Sequence, residues 1–203
     1  MSHREGILFV VSAPSGAGKT SLCRAVTDVV DNLTHSISYT TRRPRPGEVD
    51  GRDYYFVSEE RFRTMVAAGD FAEHAQVHSN FYGTSKRVLQ ATVHEGMDVI
   101  LDIDTQGARQ IRQQHGPAVF VFILPPSMAV LEERLRNRRS DREEEIRKRM
   151  RRAVDEIRDY AMYDYLVVNH DFERALAELR SIITAERCRT GLIDRTWIDD
   201  LTK

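Results

Sequence analysis

The sequence predicts an α/β protein in which a parallel sheet covered by helices carries a small inserted mixed or antiparallel lobe and a helical lid. Three observations carry that expectation. Four β-branched or aromatic runs, Ile7 to Ser12, Val99 to Ile103, Ala118 to Leu124 and Tyr165 to Asn169, are each followed by a helix-like segment, and such alternation makes a parallel sheet. The runs are nearly continuous in apolar character, as in strands buried on both faces. Around Thr34 to Tyr82, and again over Arg134 to Arg152, the texture turns polar and arginine-rich, which marks additions to the sheet.

The chain has 203 residues, 41% of them hydrophobic, with 30 Lys+Arg against 31 Asp+Glu and a net charge of −1. A chain of this size buries about 70% of its unfolded surface and needs no disulfide to fold. Cys23 and Cys188 form no CxxC and are too few for a staple framework, so a reducing compartment, the cytoplasm, is expected. No signal-peptide core follows MSHREG and no apolar stretch approaches membrane-spanning length, so no membrane partner is expected. The balanced charge gives no pull toward nucleic acid, so an anionic ligand must be held by locally placed cations. The expected division is one domain, with a core at 1–33, 83–133 and 158–203, a lobe at 34–82 and a lid at 134–157.

In chain order, the first strand runs into Ala13-Pro14-Ser15-Gly16-Ala17-Gly18-Lys19-Thr20, then a helix from near Ser21. This is strand, GxxxxGK[ST], helix, with Ala13 in place of the first glycine. Glycines let backbone N–H groups converge on phosphate oxygens, Lys19 reaches the outer phosphates, and Thr20 can ligate magnesium. Residues 13 to 21 are therefore the candidate site for a nucleoside triphosphate with Mg2+. Cys23, on the apolar-patterned helix that follows, reads as a buried inert thiol.

The inserted segment opens with a loop, RRPRPGEVDG, stiffened by two prolines and dense in arginine. Guanidinium forks bind phosphate oxygens bidentately, so Arg42 and Arg45 with the hydroxyls of Tyr54 and Tyr82 form a candidate monophosphate cradle. Arg43 and Arg52 read as solvated. Asp53 to Ser58 and Phe71 to His78 alternate as strands do. His74 and His78 stand four apart in this extended segment with no third ligand at metal spacing, which argues against a metal site.

The second acidic strand, ILDID, places Asp102 and Asp104 at a carboxyl end, where ligands gather in open α/β sheets. One carboxylate is expected to face the metal, and either can instead cap the helix Thr105 to His115. RLRNRRSDREEEIRKRMRR carries a capping box, Ser140 to Glu143, before a long helix ending near Tyr163. Most of its charges read as a salt-bridged solvated face. Asp171 to Arg189 is an amphipathic helix; the tail past Gly191, with Trp197, carries no readable signal.

With these segments in view, the chain resembles the guanylate kinase family over roughly Gly6 to Arg187. The resemblance rests on the phosphate loop, TTRxPRxGExxGxxYxF from Thr40, NFYGTS, ILDIDxQG, the arginine-rich lid and VVN ending at Asn169. It implies a P-loop NTPase-type core, a lobe that binds GMP, and transfer of the γ-phosphoryl group of ATP to GMP. It places the acceptor phosphate on Arg42, Arg45, Tyr54 and Tyr82. Guanine falls to Ser38, Glu73, Thr84 and Asp104, where Glu73 accepts the two adjacent guanine donors and Thr84 donates to the carbonyl oxygen. Lys19, Arg42, Arg138 and Arg149 become the catalytic cations, Thr20 and Asp102 the magnesium ligands, and Asn169 a residue near the adenine. Arg139 stands where the family usually has glycine, and His170 where it has an acidic residue. Two other classes fit parts of the pattern: a non-catalytic phosphopeptide-binding module of the same fold, disfavoured by the intact Lys19 and Thr20, and a ribose-phosphate kinase, which has no need of Glu73 and Thr84. Oligomeric state is left open, a homo-oligomer included.

Overall fold

The apolar runs become the centre of a five-stranded parallel sheet in the computed structural model, which describes residues 4–77, 79–114, 116–137, 143–192 and 195–203. The core strands are β1 (Leu8–Ser12), β2 (Leu33–His35), β7 (Asp98–Asp102), β8 (Val119–Leu124) and β9 (Tyr165–Val168), in the order β2-β7-β1-β8-β9. Alternate residues feed opposite faces. Phe9, Val11, Ile100 and Val121 pack with α1 (Lys19–Val29) and α7 (Phe172–Arg187). Leu8, Val10, Leu101 and Phe122 pack with α3 (Lys86–His94), α4 (Thr105–Gln114) and Tyr163. Covering both faces is what the unbroken apolar runs required. The pairing of Val11 with Asp102 sets the end of β7 beside the loop leaving β1.

The lobe is a second, four-stranded sheet, ordered β4-β3-β6-β5, from β3 (Tyr39–Thr40), β4 (Tyr55–Phe56), β5 (Phe71–Val77) and β6 (Asn80–Ser85). It is mixed, with β3 parallel to β4 and antiparallel to β6. Helix α2 (Glu59–Ala67) covers it through Phe62, stacked on Phe71 at 4.6 Å and on Phe81 at 5.6 Å between ring centroids. Ser58 caps α2 by accepting from Arg61 N–H at 3.2 Å. The lid region contributes α5 (Met128–Asn137) and α6 (Glu143–Arg158), packed through Leu131, Leu135, Ile146 and Ala153.

Several expectations change. Leu33–His35 pairs with β7, so Thr34 and His35 belong to the core sheet and not to the lobe; three residues are too few for a periodic signal. Gly83 to Ser85 extend β6 and belong to the lobe sheet, not to the core. The helix read as reaching Tyr163 ends at Arg158 and passes into a 3-10 turn at Asp159–Met162. A short helix, α8 (Arg195–Leu201), follows the 3-10 turn Thr190–Leu192 in the tail that gave no signal. Ser140 of the expected capping box lies outside the described residues. Among the described residues, no helix is long and apolar enough to cross a membrane.

Asp98, fully buried at the start of β7, ties three segments together. It accepts from Ile7 N–H at 2.7 Å, Arg4 at 2.9 Å and Arg187 Nε at 2.7 Å, and Arg187 also reaches the Asp31 carbonyl at 2.8 Å. Removing one member of such a group strands the others in the interior. Asp98→Ala should therefore lose about 3–5 kcal/mol of unfolding free energy, read by urea denaturation.

Candidate active site

Gly16 and Gly18 adopt left-handed φ of 98° and 94°, and Gly18 forms the N-cap of α1. Ala13, where the motif has glycine, is free of that demand, and its methyl is buried in the core. A Cβ on Gly18 would lie 2.3 Å from the Asn169 side-chain nitrogen. Asn169, which the resemblance places near the adenine, is buried under the loop, where Nδ2 donates to the Ala17 carbonyl at 2.7 Å. Its own carbonyl accepts from Arg134 of α5 at 2.9 Å. Asn169 is thus a brace of the phosphate loop, reached from the lid side by Arg134.

Lys19 donates to the Ile103 carbonyl at 2.7 Å and forms a close ion pair with Asp102. Burial pulls the Lys19 pKa down, but the charge and hydrogen bond of Asp102 outweigh it and hold the ammonium above its ordinary value. For Asp102, burial pushes up, yet Lys19 and the Thr20 hydroxyl leave the carboxyl below its usual range. Both members stay ionised at neutral pH. An ammonium has three donors, so Lys19 keeps one N–H beyond those two partners.

Asp104 takes the other role offered to the pair. Its Oδ1 accepts from Gly107 N–H in the first turn of α4 at 2.9 Å, and Oδ2 lies 3.3 Å from Arg152 Nη2. Capping and ion pairing, not contact with Lys19, define its surroundings. The same cleft is lined by Ala13 to Gly16, Gly18 to Ser21, Val77, Asp104 and, from α6, Arg149, Arg152 and Glu156. Arg152, which also pairs with Glu156 at 2.9 Å, went unnoticed in the sequence. Its spacing of three from Arg149 puts the two on one helix face and was the available signal. Arg138 lies outside the described residues. Glu143 with Arg136 and Glu144 with Lys148 form exposed pairs, as the solvated-face reading expects.

In the lobe, Arg42 pairs with Glu48 at 2.9 Å, and its guanidinium carbon lies 5.4 Å from the Tyr54 ring centroid. Glu48 also accepts from Arg45 N–H at 2.7 Å, so one carboxylate shapes the arginine loop. Tyr54 meets Tyr82 edge-on at 6.0 Å. Burial, then the charge of Asp102, raise the Tyr54 pKa. Arg43 and Arg45 are exposed. Arg52, exposed too, leans on Asp53 at 2.9 Å.

Glu73 is 4% exposed on β5 and accepts from the Thr84 hydroxyl at 2.6 Å, with Ser38 Oγ 3.5 Å from the same hydroxyl. The Thr84 hydroxyl thus stands hydrogen-bonded to Glu73, beside the role of donor to the guanine carbonyl oxygen that the resemblance implies for it. Burial raises the Glu73 pKa to about 7; the Thr84 bond opposes this and Asp104 adds to it. Among the described residues, no group of three or more His, Cys, Asp or Glu side chains is placed to hold a metal, and His78 is outside them.

Sheet order, phosphate loop and inserted lobe together define a P-loop phosphotransferase. The family model described as guanylate kinase matches residues 5–186. The guanylate kinase of Geobacter metallireducens is 54% identical over 187 residues, 92% of each chain; that of Escherichia coli is 52% identical over 91% of this chain and 90% of its own. The crystal structure of guanylate kinase from Anaplasma phagocytophilum superposes with a TM-score of 0.78 at 34% identity, covering 95% of this chain and 92% of that one. The chain belongs to the guanylate kinase family and is an enzyme of that activity, an ATP-dependent kinase of GMP.

The raised Glu73 pKa has a signed consequence. Between the ordinary value of 4.5 and about 7, the folded chain keeps a proton that the unfolded chain has released, so stability falls as pH rises through that window. Glu73→Gln removes this ionisation. Its unfolding free energy relative to the parent should rise from pH 5 to pH 8, and denaturation series at both values measure the difference.

Proposed function

We propose that the γ-phosphoryl group of ATP passes to GMP across the cleft between the phosphate loop and the lobe, with residues 13–21 holding the ATP phosphates and the lobe holding GMP. The observation that carries the reading is the buried Glu73 carboxylate, backed by Thr84 and Ser38. Guanine presents two adjacent donors on its ring N–H and exocyclic amine, and one ionised carboxylate accepts both. Adenine reverses that pattern and would leave Glu73 unpaired, which discriminates by about 10⁴ or more.

Arg42, Arg45, Tyr54 and Tyr82 hold the GMP phosphate, with Glu48 fixing the Arg42 fork. The acceptor oxygen is already anionic near neutral pH, so the step needs positioning and charge neutralisation and no strong base. That oxygen bonds to Pγ, the bond from Pγ to the β–γ bridging oxygen breaks, and ADP leaves with the electron pair. Lys19 offers its remaining N–H to the outer phosphates, and Arg149 with Arg138 meets the charge developing on the transferred group.

The donor set suits magnesium: the Thr20 hydroxyl and the ionised Asp102 carboxylate are hard oxygen ligands, and the hydroxyl helps hold that carboxyl below its usual range. When bound with ATP, the ion neutralises charge on the outer phosphates.

Coupled ADP production with ATP and magnesium should show turnover with GMP and none above background with AMP, CMP or UMP. Lys19→Ala should lower kcat by 10³ or more, and chelation should abolish turnover. Below pH 7, protonation of Glu73 should raise the KM for GMP. In Glu73→Gln that limb should disappear, leaving the titration of the substrate phosphate near about pH 6. Turnover with AMP equal to that with GMP would refute the role of Glu73.

A further inference from the structure

Gly107 is the third residue of α4, buried, in ordinary helical backbone, and glycine there has no conformational reason to be glycine. Alanine would favour the helix by about 1 kcal/mol. What glycine supplies is room. A Cβ at 107 would lie 2.5 Å from Glu73 Oε2 and 3.1 Å from Glu73 Cδ, and the other carboxylate oxygen is held by Thr84 at 2.6 Å. The carboxylate is thus clamped between a hydroxyl on one side and a bare Cα on the other. The same residue's N–H fixes Asp104 Oδ1 at 2.9 Å.

We propose that Gly107 is a specificity-determining positioning residue for base recognition: the absence of its side chain sets where the Glu73 carboxylate stands, and its amide sets Asp104. The inference rests on the reading of Glu73 as the acceptor of the guanine donors. A methyl group would force the carboxylate back by at least 0.5 Å, the difference between 2.5 Å and the 3.0 Å below which such contacts are essentially never seen. Retreat strains or breaks the Thr84 bond and misplaces the acceptor pair. Misplacement by about 1 Å can cost about 10²-fold. The phosphate loop does not touch this contact, so ATP binding is spared.

The test uses Gly107→Ala, Glu73→Ala and the double variant in the full chain, with KM for GMP and for ATP, kcat, and thermal unfolding without ligand. Gly107→Ala should raise the KM for GMP at least tenfold with the KM for ATP within twofold. In the Glu73→Ala background, the same change should alter the KM for GMP by less than twofold and raise the melting temperature, because the clash is gone and the helix gain is left. An unchanged KM for GMP in Gly107→Ala overturns the inference, as does an equal penalty in both backgrounds. If Gly107→Ala alone fails to fold, folding of the double variant supports the clash, and failure of both overturns it. If Glu73→Ala itself leaves the KM for GMP unchanged, the guanine reading has failed and takes this inference with it.

Discussion

The rest of the site depends on a partly buried ion pair between the phosphate loop and the neighbouring strand, Lys19 with Asp102. Two charges taken out of water are costly, and such a pair persists only when further hydrogen bonds complete it. Here the Ile103 carbonyl does so by accepting from Lys19, and the Thr20 hydroxyl helps hold the Asp102 carboxyl below its usual range. The geometry is inherited from the sheet. Because β1 and β7 are adjacent and parallel, with Val11 opposite Asp102, the loop after one strand and the carboxylate ending the other must meet. A slip of one residue in that register would point Asp102 to the other face of the sheet and leave Lys19 buried without its counter-charge.

Asp102 at the end of a core strand and Glu73 on the lobe sheet have opposite fates, and their neighbours decide which. Asp102 has an ammonium in contact and stays ionised; Glu73 has a hydroxyl and a glycine, with Asp104 as an added negative charge, and holds its proton to about pH 7. The first arrangement suits a group that must carry charge permanently beside phosphates. The second suits an acceptor whose own cation would compete with a base for its lone pairs. A carboxylate without a counter-ion is costly to keep, and a ligand bringing two N–H donors relieves that cost where an ion pair would have removed it in advance. Under the proposed reading, the site therefore trades stability for recognition at one residue.

The sheet and the phosphate loop were legible because their signals are local: continuous apolar runs, and a glycine-rich turn ending in Lys-Thr. Helix α6 was foreseen from its charged, arginine-rich pattern for the same reason, whereas α5, which begins at Met128 ahead of the expected lid, was not. What sequence could not supply was the partner of each polar group. Either of Asp102 and Asp104 can cap a helix on sequence grounds, and only the juxtaposition of β1 and β7 gives Asp102 to Lys19 and leaves Asp104 to Gly107. Asn169 ends a strand 152 residues from Ala17, so its bond to the loop has no local trace. Strand β2 escaped because three residues cannot show a period, and Arg152 because it sits among many arginines of similar spacing.

The connection between lobe and core constrains how the two halves can move. Strand β5 is strapped to α4 of the core: Gln110 donates to the His74 carbonyl at 2.8 Å and accepts from His74 N–H at 3.1 Å, and one helical turn earlier Gly107 meets Glu73. The edge of the lobe that carries Glu73 is therefore fixed to the helix that follows Asp104. The residues proposed to hold the acceptor phosphate lie elsewhere, on the arginine loop, just before β4 and on β6, held chiefly by contacts within the lobe such as Arg42 with Glu48 and Tyr54 with Tyr82. Under the proposed reading, the carboxylate that accepts the base is thus held to the core helix capped by Asp104, while the residues proposed to hold the acceptor phosphate are held to one another.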